Sequence, residues 1–470
     1  MTCPPDRAVH GDLKAAAQAL AAAIGAAHVK RDTGPDRGAS LIAFPASTEE
    51  VAAVIRICRQ FGLSVVTEGG RTGLVGGSQS EPGQIGLSLT RMARIGAIYP
   101  EERVAVVEAG VTLHALQTAA LTHGLEPGID LAARGTATIG GMVSTNAGGI
   151  MAFRYGVMRH RVLGLEAVLP DGQIYSDMTR VVKNAAGYDL KHLLIGAEGT
   201  LGVVTRVVIK LEPVPRATAT LLLGLPDVGA ALAAIGQAIS SDVGHLRAAE
   251  ALWQSYIQLT ASAQGWSEPS FPLDQPVNLL LMLGGAQEAD LQAEALRLFG
   301  MMAEAYPTTT GIIAASGRQE ADLWQLREDT FQLYRKHAAA PSYDVSVPQS
   351  EIAGYLERVQ EGLAGLDGGI SPYVFGHLAD GNLHIVLNRA GPLAPDLLAA
   401  VEEVLYAPLS ALGGSFSAEH GVGAKRVHSL MATVNRVKLH AMISVKQTFD
   451  PDKMMNPGKV LPLSPNLEPS

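Results

Sequence analysis

Glu68–Gly77, EGGRTGLVGG, is the stretch that most narrows what this chain can build, because five of its ten residues are glycine. A run so poor in side chains can turn sharply and present its backbone N–H groups. Clustered N–H groups form a nest for an anion, and a cofactor diphosphate is the commonest anion that needs one. A plain flexible surface loop is the alternative. Leu63–Val66 reads as a strand feeding the loop. A second stretch, Gly135–Gly149 (GTATIGGMVSTNAGG), strengthens the phosphate reading, since two such loops in one half of a chain suit a long cofactor gripped at two places. No G-x-G-x-x-G stands between a strand and a helix, and no G-x-x-x-x-G-K-[ST] occurs, so neither a dinucleotide-binding Rossmann unit nor a P-loop is supported.

With 470 residues, 47% of them hydrophobic, the chain can bury two cores. The net charge of −9 comes from well-mixed acidic and basic residues, and no Lys/Arg tract is long enough to follow a nucleic-acid backbone. Cys3 and Cys58 make neither a disulfide framework nor a thiolate metal site; Cys58 sits on the apolar side of a helical pattern and reads as a small core residue. The N-terminus lacks the apolar core of a secretory signal. The most apolar run, Ala217–Ile239, is interrupted by Pro226 and Asp227, which argues against a membrane span. A soluble cytoplasmic protein is the expectation.

Asp12–Gly25 has the pattern of a surface helix, and Arg31–Ser40 is turn-like. Leu41–Pro45 reads as a strand. Ser47 with Glu50 forms a capping box for a helix whose apolar stripe is Val51, Val54, Ile55, Cys58 and Phe61. Strands follow at Ile85–Leu89 and Val104–Glu108, with a helix over Thr112–His123. Leu163–Leu169 and Gln173–Ser176 flank a Pro170-Asp171-Gly172 hairpin turn. Gly187–Gly202 is expected to be a helix entering a third glycine-rich turn, and Val203–Leu211 a strand. After the Glu212–Arg216 boundary, strands at Thr218–Leu223 and Val277–Leu283 alternate with helices over Val228–Ser240, Glu288–Ala305 and Glu320–His337. A final helix covers Val434–Phe449.

Two further stretches bear chemistry. In Gly376–His384, GHLADGNLH, the Asp380-Gly381 pair favours a two-residue type I′ hairpin. That turn would set His377 directly opposite His384, with β-carbons about 4.5–5.5 Å apart on one face. Two imidazoles so placed can hold a metal ion; two ordinary histidines on a polar hairpin are the alternative. In Ser417–Gly423, SAEHGVG, a carboxylate and an imidazole are adjacent. Two histidines and a glutamate are a zinc ligand set that leaves a position open. Glu419 would be the third ligand, and His420 a general base. Alone, such a Glu-His pair is an ordinary surface feature.

Together these stretches resemble the flavin-dependent D-2-hydroxyacid dehydrogenases. That family includes D-lactate and D-2-hydroxyglutarate dehydrogenases and the flavin subunit of glycolate oxidase, and it has the vanillyl-alcohol-oxidase-like, PCMH-type FAD fold. The resemblance runs from about Pro45 to Pro462. Seven motifs carry it in order: PASTEEVAAVI, GGRTGLVGG, RGTATIGGMVSTNAGG, GYDLKHLLIGAEGTLGVVT, GHLADGNLH, EHGVGAKR and NPGKVLP. It implies an α+β fold: an N-terminal helical segment (1–40), a PCMH-type FAD-binding domain (41–216), and a substrate or cap domain with an antiparallel sheet (217–416). A C-terminal helical segment (417–470) returns to the FAD domain. Gly69, Gly70, Arg71, Thr72, Gly73, Gly77 and Ser78 would cradle the FAD diphosphate. Gly140, Gly141, Ser144, Thr145 and Asn146 would line the flavin and its phosphates. Glu198, Gly199 and Val204 would lie near the adenine half, and Asn456 would reach the flavin. Arg71-Thr72 stand where some relatives carry a flavin-linked histidine, which implies non-covalent FAD.

The same resemblance implies that His377, His384 and Glu419 bind a divalent metal, zinc or alternatively manganese, and that His420 is the base. Arg327 would hold the substrate carboxylate, which its guanidinium fork suits; read alone it is a helix-surface residue. The chain departs from the hydroxyglutarate enzymes at Ser342, where they carry a lysine before the pair matching Tyr343-Asp344, and at Val386, where they carry an asparagine. Both departures favour a smaller, D-lactate-like substrate. The expected partners are a small 2-hydroxy acid and an electron acceptor of the quinone, electron-transfer-flavoprotein or cytochrome kind, with a homodimer as the family-level expectation. The competing readings are a flavin subunit inside a glycolate-oxidase-like complex, and a non-redox FAD transferase of the alkyl-dihydroxyacetone-phosphate synthase type.

Overall fold

The computed structural model describes residues 12–31, 37–266, 271 and 273–463. Cys3 and residues 32–36 of the expected turn lie outside them. The chain divides into two compact units. One comprises residues 1–148, 156–213 and 419–470; the other comprises 149–155 and 214–418. Among the described residues no helix is long and apolar enough to cross a membrane.

The first unit opens with the helix Leu13–Ile24, capped by the Asp12 carboxylate. A four-stranded sheet follows: β1 (Val29–Lys30), β2 (Leu41–Ala43), β3 (Val65–Glu68) and β4 (Ile85–Ser88), in the order β1-β2-β4-β3. β2, β4 and β3 run parallel, joined through the helix Thr48–Gln60. Ser47 caps that helix as expected, its hydroxyl accepting from Glu50 N–H, while the Glu50 carboxylate reaches back to Ala46 N–H. Val51, Val54, Ile55 and Cys58 are buried. The second sheet is antiparallel: β5 (Ile95–Tyr99), β6 (Val104–Glu108), β8 (Val162–Val168), β9 (Ile174–Asp177) and β10 (Val203–Lys210), in the order β5-β6-β10-β8-β9. The hairpin at Pro170–Gly172 is its β8–β9 turn. A short ribbon pairs β7 (Leu125–Glu126) with β11 (Glu212–Pro213).

The expected helix over Gly187–Gly202 is reduced to Lys191–Leu194. The Arg159 guanidinium takes the carbonyls of His192 and Ile195, and Gly196 N–H turns away to the carbonyl of Val143. The groups that would extend the helix therefore have other partners.

The second unit is built on one antiparallel seven-stranded sheet. Its strands are β12 (Ala217–Leu225), β13 (His245–Trp253), β14 (Val277–Gly285), β15 (Thr310–Ile313), β16 (Ser342–Ser346), β17 (Pro372–His377) and β18 (Asn382–Leu387), in the order β15-β12-β14-β13-β17-β18-β16. The run Ala217–Ile239 resolves into β12 and the helix Val228–Ile239, whose N-cap is Asp227. Alternation along the strands gives the sheet two faces. Leu221, Leu281, Val345, Val374 and Ile385 belong to one apolar cluster, and Leu222, Leu252, Leu280, Phe375 and Val386 to the other. The expected helix Glu320–His337 is two helices, Gly317–Glu328 and Phe331–Lys336. The break falls where the Tyr256 hydroxyl donates to the Arg327 carbonyl, the acceptor that a continuous helix would offer to Phe331.

Cys58 is completely buried, and burial pushes its thiol up to about 12. In a Cys3→Ser variant, Cys58 is therefore expected to resist a thiol-disulfide reagent at pH 8 until denaturant opens the first unit. Stoichiometric labelling of the native protein within minutes would contradict this packing.

Candidate active site

The two glycine-rich stretches of the first unit meet backbone to backbone. A Cβ at Gly70 would stand 1.8 Å from the Thr136 carbonyl oxygen, and one at Gly140 would stand 2.5 Å from the Ala109 Cβ. Only glycine permits either approach. Between these walls lies a cleft with an empty volume of about 980 Å³, lined by Gly69, Gly70, Arg71, Thr72, Gly73, Gly77, Ser78, Gly140, Gly141, Ser144, Thr145, Glu198, Gly199, Val204, His420 and Asn456. Leu89, Leu131, Ala137, Met142 and Val203 add apolar surface.

Asn146 does not line the cleft. It ends the helix Ile139–Thr145 in a left-handed conformation, and its side-chain oxygen accepts from Arg159 N–H. Ser144 and Thr145 reach the cleft wall, although their hydroxyls donate back to the carbonyls of Gly140 and Gly141. Asn456 is a tie. Its Nδ2 donates to the carbonyls of Glu198 (2.6 Å) and Gly77 (3.2 Å), and its Oδ1 accepts from Thr67 N–H. The Thr67 Oγ1, on the same cleft, is buried without a partner. A buried hydroxyl left unpaired costs roughly 1–3 kcal/mol, so a polar ligand that engages it fits the site. FAD, with a ring system, a diphosphate and sugar hydroxyls, matches the glycine walls and the polar orphan of the cleft.

Glu198 is buried and holds φ 51°. Its two carboxylate oxygens accept from Val422 N–H (2.7 Å) and Gly423 N–H (2.8 Å). Burial pushes its carboxyl up, against the opposing effect of those two N–H groups and of Arg426. Glu419, at the start of the last segment of this unit, lies against Gly148, where a Cβ would stand 2.7 Å from its Oε1.

In the second unit the hairpin register differs from expectation. Phe375, not His377, faces His384, and the turn spans the four residues from Leu378 to Gly381. Only Gly381 of the Asp380-Gly381 pair has positive φ, whereas a type I′ turn needs both. Two contacts set the register. The backbone of Gly376 passes so close to Asn382 that a Cβ would lie 2.3 Å from its carbonyl oxygen, and His377 pairs with Glu250 on β13. A two-residue shift keeps side chains on their original face. His377 and His384 accordingly remain neighbours, with ring centroids 5.5 Å apart and planes at 84°.

Behind each histidine stands a buried carboxylate that the motifs did not single out. Glu250 Oε1 is 2.6 Å from His377 Nδ1, and Glu250 Oε2 accepts from Arg327 Nε at 2.6 Å. Asp344 Oδ1 lies 3.6 Å from His384 Nδ1 and accepts from the Asn382 amide; its Oδ2 accepts from Ala418 N–H. A carboxylate on one imidazole nitrogen is the usual support for a histidine that ligates a metal through the other. The donor set of this unit thus suits a divalent metal, with Nε2 of His377 on the far side of its ring from Glu250. Arg327 is buried, its guanidinium 4.9 Å from the centre of the Phe375 ring. One glutamate therefore joins the expected substrate arginine to an expected ligand histidine. A sequence signal existed: Glu250 and Asp344 are the single acids of the strand runs RAAEALW and SYDVSV.

Burial pushes the Glu250 carboxyl up, but the His377 and Arg327 charges and hydrogen bonds outweigh it and hold it down at about 2. A depressed carboxyl adds stability above its unfolded value and loses it as pH falls through the folded one. Glu250→Gln is expected to cost about 3–5 kcal/mol at neutral pH, because it removes the buried carboxylate that pairs with both Arg327 and His377. The gap to wild type, measured by urea titration, should be flat above about pH 5 and shrink toward pH 2. A gap independent of pH would show that the carboxylate charge is not what holds these groups.

Comparison with known proteins agrees with this architecture. The profile of "FAD linked oxidases, C-terminal domain" matches residues 214–460, and that of "FAD binding domain" matches residues 39–177. The chain is 35% identical over 423 residues to the D-2-hydroxyglutarate dehydrogenase of Xanthomonas citri pv. viticola, covering 89% of this chain and 88% of that protein. It is 34% identical over 433 residues to the mitochondrial D-2-hydroxyglutarate dehydrogenase of Bos taurus, covering 91% and 78%. Among solved structures, p-cresol methylhydroxylase with substrate bound superposes with a TM-score of 0.75 at 18% identity, covering 97% of this chain and 98% of that one. An alkyldihydroxyacetonephosphate synthase gives 0.71 at 17% identity, covering 97% and 86%. At that identity the two structures speak for the fold alone. The chain belongs to the FAD-linked oxidase family: it is an FAD-linked oxidoreductase with a PCMH-type FAD-binding domain, homologous to the D-2-hydroxyglutarate dehydrogenases.

Proposed function

We propose that the chain oxidises a D-2-hydroxy acid to the 2-oxo acid, using non-covalent FAD and a divalent metal, with D-2-hydroxyglutarate as the first substrate to test. The observation that carries this reading is the buried Glu250, which holds an arginine fork and an imidazole together on one sheet face. A carboxylate-binding group beside a metal-ligand group is what a 2-hydroxy acid requires.

The 16 cofactor residues expected from the sequence are those named above from Gly69 to Asn456, and the cleft-lining ones would hold FAD. Bound there, FAD would supply the hydride acceptor. His377, His384 and Glu419 would hold the metal, zinc or manganese, whose Lewis acidity favours loss of the hydroxyl proton. Glu250 and Asp344 orient the two histidines. Arg327 fixes the substrate carboxylate through its guanidinium. His420 accepts the hydroxyl proton, a task for which imidazole is the suited side chain near neutral pH. The apolar residues of the cleft keep water from the reacting centre. A separate acceptor then takes the electrons.

A second reading, a D-lactate-like substrate, is favoured by one observation: Ser342 and Val386 are direct cross-strand partners, two residues from the Asp344–His384 pair. Neither side chain offers charge to a second carboxylate.

Anaerobic mixing with D-2-hydroxyglutarate and D-lactate tests both readings. Wild-type protein is expected to bleach with a D-2-hydroxy acid, and chelated protein to stay yellow until zinc or manganese returns. His420→Asn should bleach about 10²–10⁴-fold more slowly at unchanged flavin content. Bleaching by His420→Asn at the wild-type rate would remove that residue from the reaction.

A further inference from the structure

Glu198 was expected to touch the cofactor near its adenine half, yet both of its carboxylate oxygens are engaged elsewhere. Each accepts one N–H from the loop after His420, Oε1 from Val422 and Oε2 from Gly423. Consecutive N–H groups converge on one anion only where the backbone adopts nest-like conformations. Here Gly421 and Gly423 supply them, at φ 80° and 52°. A Cβ at Gly421 would stand 2.7 Å from Glu198 Oε1, and one at Gly423 would stand 2.2 Å from the Val75 carbonyl oxygen. The loop is moulded closely around this carboxylate.

The rest of Glu198 is fixed too. Its N–H donates to the Ser144 carbonyl, and its own carbonyl accepts from the Asn456 amide. Beyond Gly423 the chain is tied to the first glycine loop, because Ala424 and Lys425 N–H both donate to the Val75 carbonyl. We propose that Glu198 is a positioning residue: its carboxylate clamps residues 419–423 and so sets where Glu419 and His420 stand in the first unit. This rests on the functional reading above, which makes Glu419 a metal ligand and His420 the base. Because Glu198 also lines the cleft, the clamp links the wall of the cofactor site to the loop that handles the proton.

The test compares wild-type holoenzyme with Glu198→Gln, which keeps the shape but offers one amide oxygen in place of two carboxylate oxygens. Gly421→Ala serves as a second variant and pushes on the clamp from the other side. Amide hydrogen exchange in a peptide spanning 419–426 should accelerate at least about tenfold, with the peptides of 69–78 and 139–146 unchanged. Turnover per bound flavin should fall about 10–100-fold, the range for residues that orient metal ligands, with KM for the hydroxy acid changed far less. Rates are taken per bound flavin, because Glu198 also lines the cofactor cleft. Loss of flavin with unchanged exchange at 419–426 and unchanged turnover per flavin would overturn the clamp and leave Glu198 a cofactor residue alone. Faster exchange with unchanged turnover per flavin would overturn the positioning role. His420→Asn, run alongside, separates the two levels: if it also turns over normally the functional reading has failed, and if it is inactive while Glu198→Gln is normal only the positioning role has failed.

Discussion

Backbone packed directly on backbone is the constraint from which the cofactor half of this protein follows. Residues 69–70 lie against 136–138, and Gly140 lies against Ala109, at separations that no side chain would survive. Such contact leaves carbonyl and N–H groups facing each other in a buried place, and each must find a partner. Asn456 settles several at once, joining β3, the first glycine loop and Glu198 through one amide. The cleft is therefore framed by polar backbone, to which Leu89, Leu131, Met142 and Val203 add apolar surface.

The second unit solves a different problem. Its sheet buries apolar side chains on both faces, and the face that carries Phe375 and Val386 also carries Glu250, Asp344, His377 and His384. Four ionisable groups in such a place are expensive unless they answer one another. They do so in two sets, Glu250 with His377 and Arg327, and Asp344 with His384 and Asn382. Phe375 stacks on Tyr256 and lies beneath Arg327, so aromatic surface bounds one side of the polar strip. Fixed charges on a rigid sheet are well suited to hold a small charged substrate in one orientation.

Much of this was legible in the sequence wherever local chemistry decides the conformation. The Ser47 cap, the apolar stripe around Cys58 and the hairpin at Asp171-Gly172 are short-range features, and the chain adopts them. The family and its fold were legible as well, through seven ordered motifs. What the sequence hid depends on contacts between distant segments. The Asp380-Gly381 dipeptide favours a two-residue turn, but Glu250, from a strand more than a hundred residues earlier, fixes His377 in another register. The helical pattern of Gly187–Gly202 loses to Arg159, which captures the carbonyls a helix would use. Glu250 and Asp344 stand in no motif that names them, and only the strand order reveals what they support.

The first unit is discontinuous, and Met455 and Asn456 return to β3 after the whole second unit has been traversed. The amide that ties the cleft together is thus supplied 379 residues after Gly77, whose carbonyl it holds. On a ribosome the glycine loops emerge early, but their closing tie emerges only after the second unit. An N-terminal half released alone would have the walls of a cofactor site without the latch. A full grip on the flavin therefore waits for a segment that follows the whole second unit.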